Sequence, residues 1–162
     1  MKYQADPKPP ASGVKVCSRC KVEKPISEFS NDKTFKTGLY SHCKDCCKKA
    51  NRDRKIEILT HYSGGNPACG CCGETELDFL TIDHVNDDGA AHRKELGGAG
   101  TTVYNWIIRN NFPAGFAVLC WNCNCARWRF GTCPHQRARD KASAPRAGDE
   151  STAPVAVLSP SS

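Results

Sequence analysis

Hydrophobic positions in this chain are sparse, and their spacing changes character several times. Up to residue 43 they are short points, Phe29, Phe35 and Leu39-Tyr40, broken by turn residues such as Lys24-Pro25 and Thr37-Gly38. From Asp45 to about Tyr62 the pattern predicts a helix, with Ile56 and Leu59 on a packed face and Lys48, Arg52 and Lys55 on another. Ser63-Gly64-Gly65-Asn66-Pro67 stops that helix and predicts a hinge. Phe79 to Asp83 and Ala117-Val118-Leu119 read as short strands, and Asn122 to Arg129 as a helix directly after the second. The connection between the strands carries Gly97-Gly98-Ala99-Gly100 and a helix near Thr102 to Asn110. Thr101 or Thr102 is the expected cap of that helix, and Val103, Trp106 and Ile107 its apolar face. A connection of this length in so small a unit usually has a job. The ends differ from the middle. Residues 1–15 are rich in Pro, Lys and small residues and 136–162 in Pro, Ala, Ser and Thr, with little to bury, and they read as a flexible N-terminus and a disordered tail.

Cysteine content sharpens this outline. The chain has 162 residues and 12 cysteines. MKYQADPKPP at the start has no apolar segment of a secretory leader, and no run is long enough to span a membrane. An intracellular chain uses cysteines for metal rather than disulfides. Eight of them form Cys-x-x-Cys pairs: Cys17 with Cys20, Cys43 with Cys46, Cys69 with Cys72, and Cys120 with Cys123. Two such pairs supply the four thiolates of a tetrahedral zinc. The expected organisation is therefore a zinc-binding module with its basic helix over residues 16–62 and a second zinc unit over 63–135. Neither module is large enough to rely on an apolar core alone.

Charge divides along the same line. Residues 1–62 hold 14 Lys and Arg against 7 Asp and Glu; residues 63–162 hold 9 against 10. The excess behind the formal charge of +6 lies wholly in the first part. Lys44, Lys48, Lys49, Arg52, Arg54 and Lys55 form the densest patch, suited to phosphate contact, although a solvated helix face has the same composition.

The second unit also carries reactive groups. Asp83-His84 sits at the end of the first strand, and Asn124 follows Cys123 at once. A zinc held by Cys69, Cys72, Cys120 and Cys123 would bring carboxylate, imidazole and carboxamide together. That set suits metal-assisted hydrolysis of a phosphodiester. The oxygens of Asp83 and Asn124 favour Mg2+ or Mn2+, whereas thiolates favour zinc.

The block Cys69-x-x-Cys72-Gly73, Phe79-Leu80-Thr81-Ile82-Asp83-His84, Leu119-Cys120-x-x-Cys123-Asn124 resembles the HNH (His-Me finger) nucleases, closest to the phage recombination endonuclease VII-like branch. The resemblance covers about residues 67–135. The front block, Cys17-x-x-Cys20 to Cys43-x-x-Cys46, is similar to the zinc-ribbon or treble-clef module that precedes such domains in many phage and prophage proteins. The resemblance implies a small α+β, zinc-stabilised fold with a ββα-metal core. It implies a DNA endonuclease with His84 as general base and Asp83 and Asn124 as ligands of the catalytic Mg2+ or Mn2+. Structural zinc would be held by Cys69, Cys72, Cys120 and Cys123, and a second zinc by Cys17, Cys20, Cys43 and Cys46. DNA contacts are expected from Lys48, Lys49, Arg52, Lys55, Arg93, Arg127 and Arg129, and the setting would be the cytoplasm of a bacterial host. The oligomeric state stays open, a homodimer among the options. Two departures stand out. Gly115-Phe116 occupy the region of the middle Asn of the family pattern, so a backbone carbonyl is the expected support for His84. No domain follows residue 135 of the kind that recognises branched DNA, so junction resolution is not implied.

Several residues stay outside this scheme. His92 and Arg93 read equally as a phosphate grip or a solvated loop pair. Cys133-Pro134-His135 reads as local packing, with a further metal site as the alternative. Cys47, Cys71 and Cys125 adjoin expected ligands and read as small packed side chains. His42 is a weak substitute ligand, and His61 is expected to be plain. The competing functional reading is a non-catalytic zinc protein that binds DNA as a regulator or packaging accessory, which leaves Asp83, His84 and Asn124 without a role. A zinc deaminase is excluded because it needs a His-x-Glu, which the chain lacks.

Overall fold

A computed structural model describes residues 9–143 of the chain. Its elements repeat one local plan twice, a cysteine knuckle followed by a strand that runs directly into a helix. In the first round β1 (Val14–Val16) pairs antiparallel with β2 (Glu23–Pro25) around the Cys17–Cys20 knuckle. A single 3-10 turn then leads to β3 (Phe29–Asn31), which pairs antiparallel with β4 (Leu39–Cys43). Cys43 ends β4 and stands at the N-terminus of α1 (Lys44–Tyr62), so Cys46 falls in the first helical turn. In the second round the Cys69–Cys72 knuckle precedes β5 (Leu80–His84), which pairs antiparallel with β6 (Phe116–Cys120). Cys120 ends β6 and Cys123 lies in the first turn of α4 (Trp121–Phe130). Both knuckles turn through left-handed backbone just after the second cysteine, at Lys21 (φ 63°) and Gly73 (φ 80°). The result is a small α+β fold with cysteine clusters that could bind zinc.

The β5–β6 connection holds two helices, α2 (Gly89–Glu95) and α3 (Thr101–Arg109). The second matches expectation, with Val103 and Ile107 buried and Trp106 half-buried. Its cap does not. Gly100 takes the cap position at φ 55°, and neither Thr101 nor Thr102 caps the helix with its side chain. A capping side chain must belong to the residue before the first helical one. Here that residue needs a left-handed turn, which glycine adopts at no steric cost.

α1 is the strut of the molecule. Its buried residues are Ala50, Ile58 and Leu59, whereas Ile56 of the expected face is only half-buried. Neighbours 58 and 59 point about 100° apart on a helix. Ile58 packs with Val103 and Ile107, while Leu59 packs with Leu80, Val118 and the cysteines Cys69, Cys120, Cys123 and Cys133. A helix gripped from two sides shows no single apolar stripe. It starts on the first module's cysteines and ends in the second module's core. The Ser63–Pro67 break is a turn at the end of α1, exposed from Gly64 to Asn66.

The tail expected from residue 136 begins differently. Pro134–Ser143 forms α5, opened by a proline whose fixed φ suits the first helical position. Residues 1–8 and 144–162, where the rest of the flexible ends was expected, lie outside the described residues. No helix among the described residues is long and apolar enough to cross a membrane.

Candidate active site and metal centres

The two four-cysteine groups form as the spacing predicts. Cys17, Cys20, Cys43 and Cys46 bring their sulfurs within 4.8 Å of one another, and so do Cys69, Cys72, Cys120 and Cys123. Zinc–thiolate arms of about 2.3 Å in a tetrahedron put neighbouring sulfurs about 3.8 Å apart. Cys17 Sγ lies 3.9 Å from Cys46 Sγ, and Cys72 Sγ 3.7 Å from Cys120 Sγ. All the described cysteines are free thiols. These are ligand spacings, far longer than a disulfide bond of about 2 Å.

Each group keeps one sulfur ready to ionise. Burial opposes the charge on Cys17, but the backbone amides of Cys20, Cys43 and Arg19 outweigh it and pull the thiol down to about 5. The Cys43 N–H donates to Cys17 Sγ at 3.3 Å. Cys69 falls to about 7 in the same way, against burial and through the amides of Cys72, Cys120 and Cys71. Cys46 moves the other way: hydrogen bonding to Cys43 and burial push it up to about 12. The sulfurs thus share their ionisation, and a bound cation would release the remaining protons.

The expected reactive residues line one cleft. Asp83 and His84 end β5, Asn124 lies in the first turn of α4, and all three border an open cavity of about 580 Å³ together with Gly89, Arg93 and Arg127. A zinc held by the four cysteines would account for the meeting. Cys120 and Cys123 fix where α4 leaves β6, and β6 is registered against β5 with Leu80 opposite Cys120 and His84 opposite Phe116.

A neighbour absent from the expected catalytic set completes the setting of His84. His84 Nε2 lies 2.9 Å from His92 Nδ1, and the ring packs at 4.8 Å from Phe116. His92 stands edge-on to Trp106 with ring centres 4.3 Å apart. The anticipated support from a backbone carbonyl is replaced by this imidazole. The His-Arg pair in the sequence was visible, but its pairing with His84 depends on α2, which no apolar periodicity announced. The other ring nitrogen, His84 Nδ1, faces Gly89. A methyl group placed on Gly89 would lie 2.8 Å from His84 Nδ1 and 3.0 Å from Arg93 Nη1. Only a residue without a side chain leaves that space open. Burial, the largest influence, drives the His84 pKa below its usual 6.5, with the charges of His92 and Arg93 adding to it and Asp88 and Asp83 opposing. His84 is therefore neutral at pH 7.

Asp83 is engaged by a cation of the chain itself. Arg127 Nη1 donates to Asp83 Oδ2 at 2.6 Å, and Arg127 Nη2 donates to the Val85 carbonyl and reaches Asp87 Oδ1 at 3.3 Å. Burial raises the Asp83 pKa, Arg127 offsets part of that rise and Asp87 adds to it. Arg127, expected on the DNA, is thus turned toward the carboxylate. Arg129 is exposed, with its guanidinium 5.8 Å from the Phe130 ring centre.

On α1, Lys49 pairs with Asp53 at 3.3 Å and Arg52 with Asp78 at 3.1 Å, while Lys48 has no acidic partner among the described residues. Lys55 is half-buried. His61, expected to be plain, stacks on Phe112 at 4.3 Å. Cys47 stays outside every metal group, and Cys125 is exposed on the rim of the cleft.

Neither a protein-family model, nor a curated protein, nor a solved structure matches this chain. The functional reading therefore rests on the residues and their geometry.

Proposed function

We propose that the chain is a divalent-metal-dependent DNA endonuclease built on a ββα-metal core of the HNH type, formed by β5, β6 and α4. The observation that carries this reading is the shared cleft of Asp83, His84 and Asn124, with the imidazole held on one edge and open on the other. In the tautomer that has His84 Nε2–H donate to His92 Nδ1, the Nδ1 lone pair of His84 is left to take a proton from water. A half-buried, neutral imidazole suits this work at pH 7. The oxygen donors of Asp83 and Asn124 fit a hard cation, Mg2+ or Mn2+, which when bound would neutralise charge on the phosphate and the leaving oxygen. Arg93, on the same wall as His84 Nδ1, would hold a phosphate oxygen. Lys48, Lys49, Arg52 and Lys55 on α1, together with Arg129, would grip the backbone without reading sequence.

One observation favours the competing reading, a non-catalytic zinc protein that binds DNA. Asp83 already has Arg127 as its counter-ion, which is how a carboxylate with a purely structural role would sit. A plasmid nicking assay with Mg2+ or Mn2+, with and without a weak chelator that spares structural zinc, separates the two. His84→Ala should abolish cleavage while DNA binding survives. Undiminished cleavage by that variant removes the endonuclease reading.

A further inference from the structure

Cys71, Cys133 and His135 lie outside the two four-cysteine groups, yet they converge. Together with Cys123 their ligand atoms all lie within 4.8 Å of one another. Cys123 therefore belongs to two groups at once. It is fully buried, and Cys133 nearly so.

The distances fit a metal better than a hydrogen bond. His135 Nδ1 is 3.5 Å from Cys123 Sγ and 3.3 Å from Cys133 Sγ. An imidazole nitrogen offers one in-plane lone pair or one N–H, enough for a single sulfur partner. Two sulfurs at nearly equal distance from it are better satisfied by a cation lying among them. Zinc arms of about 2.3 Å to sulfur and about 2.0 Å to nitrogen put the S···N edge of a tetrahedron near 3.5 Å. Thiolates with one imidazole also match the preference of zinc over harder cations.

Ligand count and charge agree. Two tetrahedral ions need eight ligand positions, and seven residues fill them when one thiolate is shared. A Zn2+ with four thiolates carries a net charge of −2. A second Zn2+ with two further thiolates and a neutral imidazole leaves that charge unchanged, so no additional net charge is buried. Arg139 donates to the Cys71 carbonyl and lies 3.7 Å from Cys71 Sγ, where a cation compensates thiolate charge.

α5 supplies an independent reason. It has no buried residue, so apolar packing does not hold it. Its start carries Cys133 and His135, and a metal there would tie it to the knuckle through Cys71 and to α4 through Cys123.

We propose that the second module binds two zinc ions bridged by the Cys123 thiolate, one held by Cys69, Cys72, Cys120 and Cys123, the other by Cys71, Cys123, Cys133 and His135. The full chain then carries three zinc ions. Native mass spectrometry and elemental analysis of the full chain, purified under reducing conditions with zinc, test the count. Three ions per wild-type chain are expected, falling to two in His135→Ala and in Cys133→Ser with the helical circular dichroism retained. Cadmium-113 exchanged into the wild-type chain should give three resonances, two of them scalar-coupled through the shared sulfur. Two ions per wild-type chain, or an unchanged count in both variants, overturns the second site. Three uncoupled resonances overturn the bridge.

Discussion

Gly89→Ala perturbs where the His84 imidazole sits without altering its chemistry. The new methyl carbon would lie 2.8 Å from His84 Nδ1 and 3.2 Å from His84 Cγ. Comfortable contact between such atoms needs about 3.5 Å, so the ring must retreat by about half an ångström or more. Its other edge is blocked, because His92 sits 2.9 Å from Nε2 and Phe116 lies against the face. The ring therefore tilts out of the direction that a water-activating base requires. Misplacement of a reacting group by about 1 Å can cost about 100-fold in rate, so a loss of about 10- to 100-fold in plasmid cleavage is expected. Stability should change much less. Gly89 does not have the positive φ that alanine resists, and alanine gains up to about 1 kcal/mol over glycine in helix propensity. Overpacking costs about 1–3 kcal/mol, so the net destabilisation stays within about 2 kcal/mol. Cleavage rate and urea unfolding measured on the same preparation decide the matter. A folded Gly89→Ala chain that cleaves at the wild-type rate would refute the assignment of His84 Nδ1 as the working nitrogen.

Removal of zinc by a strong chelator should unfold the described domain. Structural zinc contributes on the order of 10–16 kcal/mol, as much as the whole stability of a typical domain, and a circular dichroism spectrum unmoved by chelation contradicts this. Leu80→Ala should destabilise by about 2–5 kcal/mol, because Leu80 is fully buried among Leu59, Val118 and the zinc-side cysteines; a loss below about 1 kcal/mol in denaturant unfolding at fixed zinc shows that this core is not what it looks to be. Cleavage should rise with pH on an acidic limb centred below 6.5. Burial disfavours the imidazolium of His84, so the proton leaves at lower pH than from a free histidine and the active neutral base is already formed at neutrality. A limb centred above 6.5 points to a different titrating group.

What could be read from the sequence follows from how local each signal is. Cys-x-x-Cys fixes ligand geometry within four residues, so both four-cysteine groups were legible from spacing alone. Asp83, His84 and Asn124 were legible because each adjoins an element that the cysteine pairs anchor. The His84–His92 contact was not, because it depends on the course of a seven-residue helix, Gly89–Glu95, that carries no apolar stripe. Ile58 escaped for a related reason. Periodicity finds a helix with one buried face, and α1 has two. Of the Cys71, Cys123, Cys133 and His135 group, Cys133 and His135 were visible as an alternative metal site, but pair notation allots Cys123 to one ion and leaves Cys71 as the unused neighbour of Cys72, which hid the other half.

The cysteine group and the long helix have different consequences for the cleft. A zinc in the four-cysteine group at the end of β6 would set the angle between strand and helix, and thereby the meeting of Asp83, His84 and Asn124. The basic strut α1 cannot set that angle, but it decides where the cleft lies relative to the positive surface. Ile58 and Leu59 bind its C-terminal end into the two apolar clusters of the second module, while Lys48 and Lys49 are exposed, ten and nine residues upstream of Ile58. A polyanion lying along those lysines would thus meet a cleft held in fixed relation to them. Loosening that relation by Ile58→Ala should weaken cleavage more than it weakens salt-dependent DNA binding, since the lysines remain on an intact helix while the cleft loses its reference. Equal loss of both would mean that α1 itself has melted, and circular dichroism at the temperature of the assay distinguishes the two outcomes.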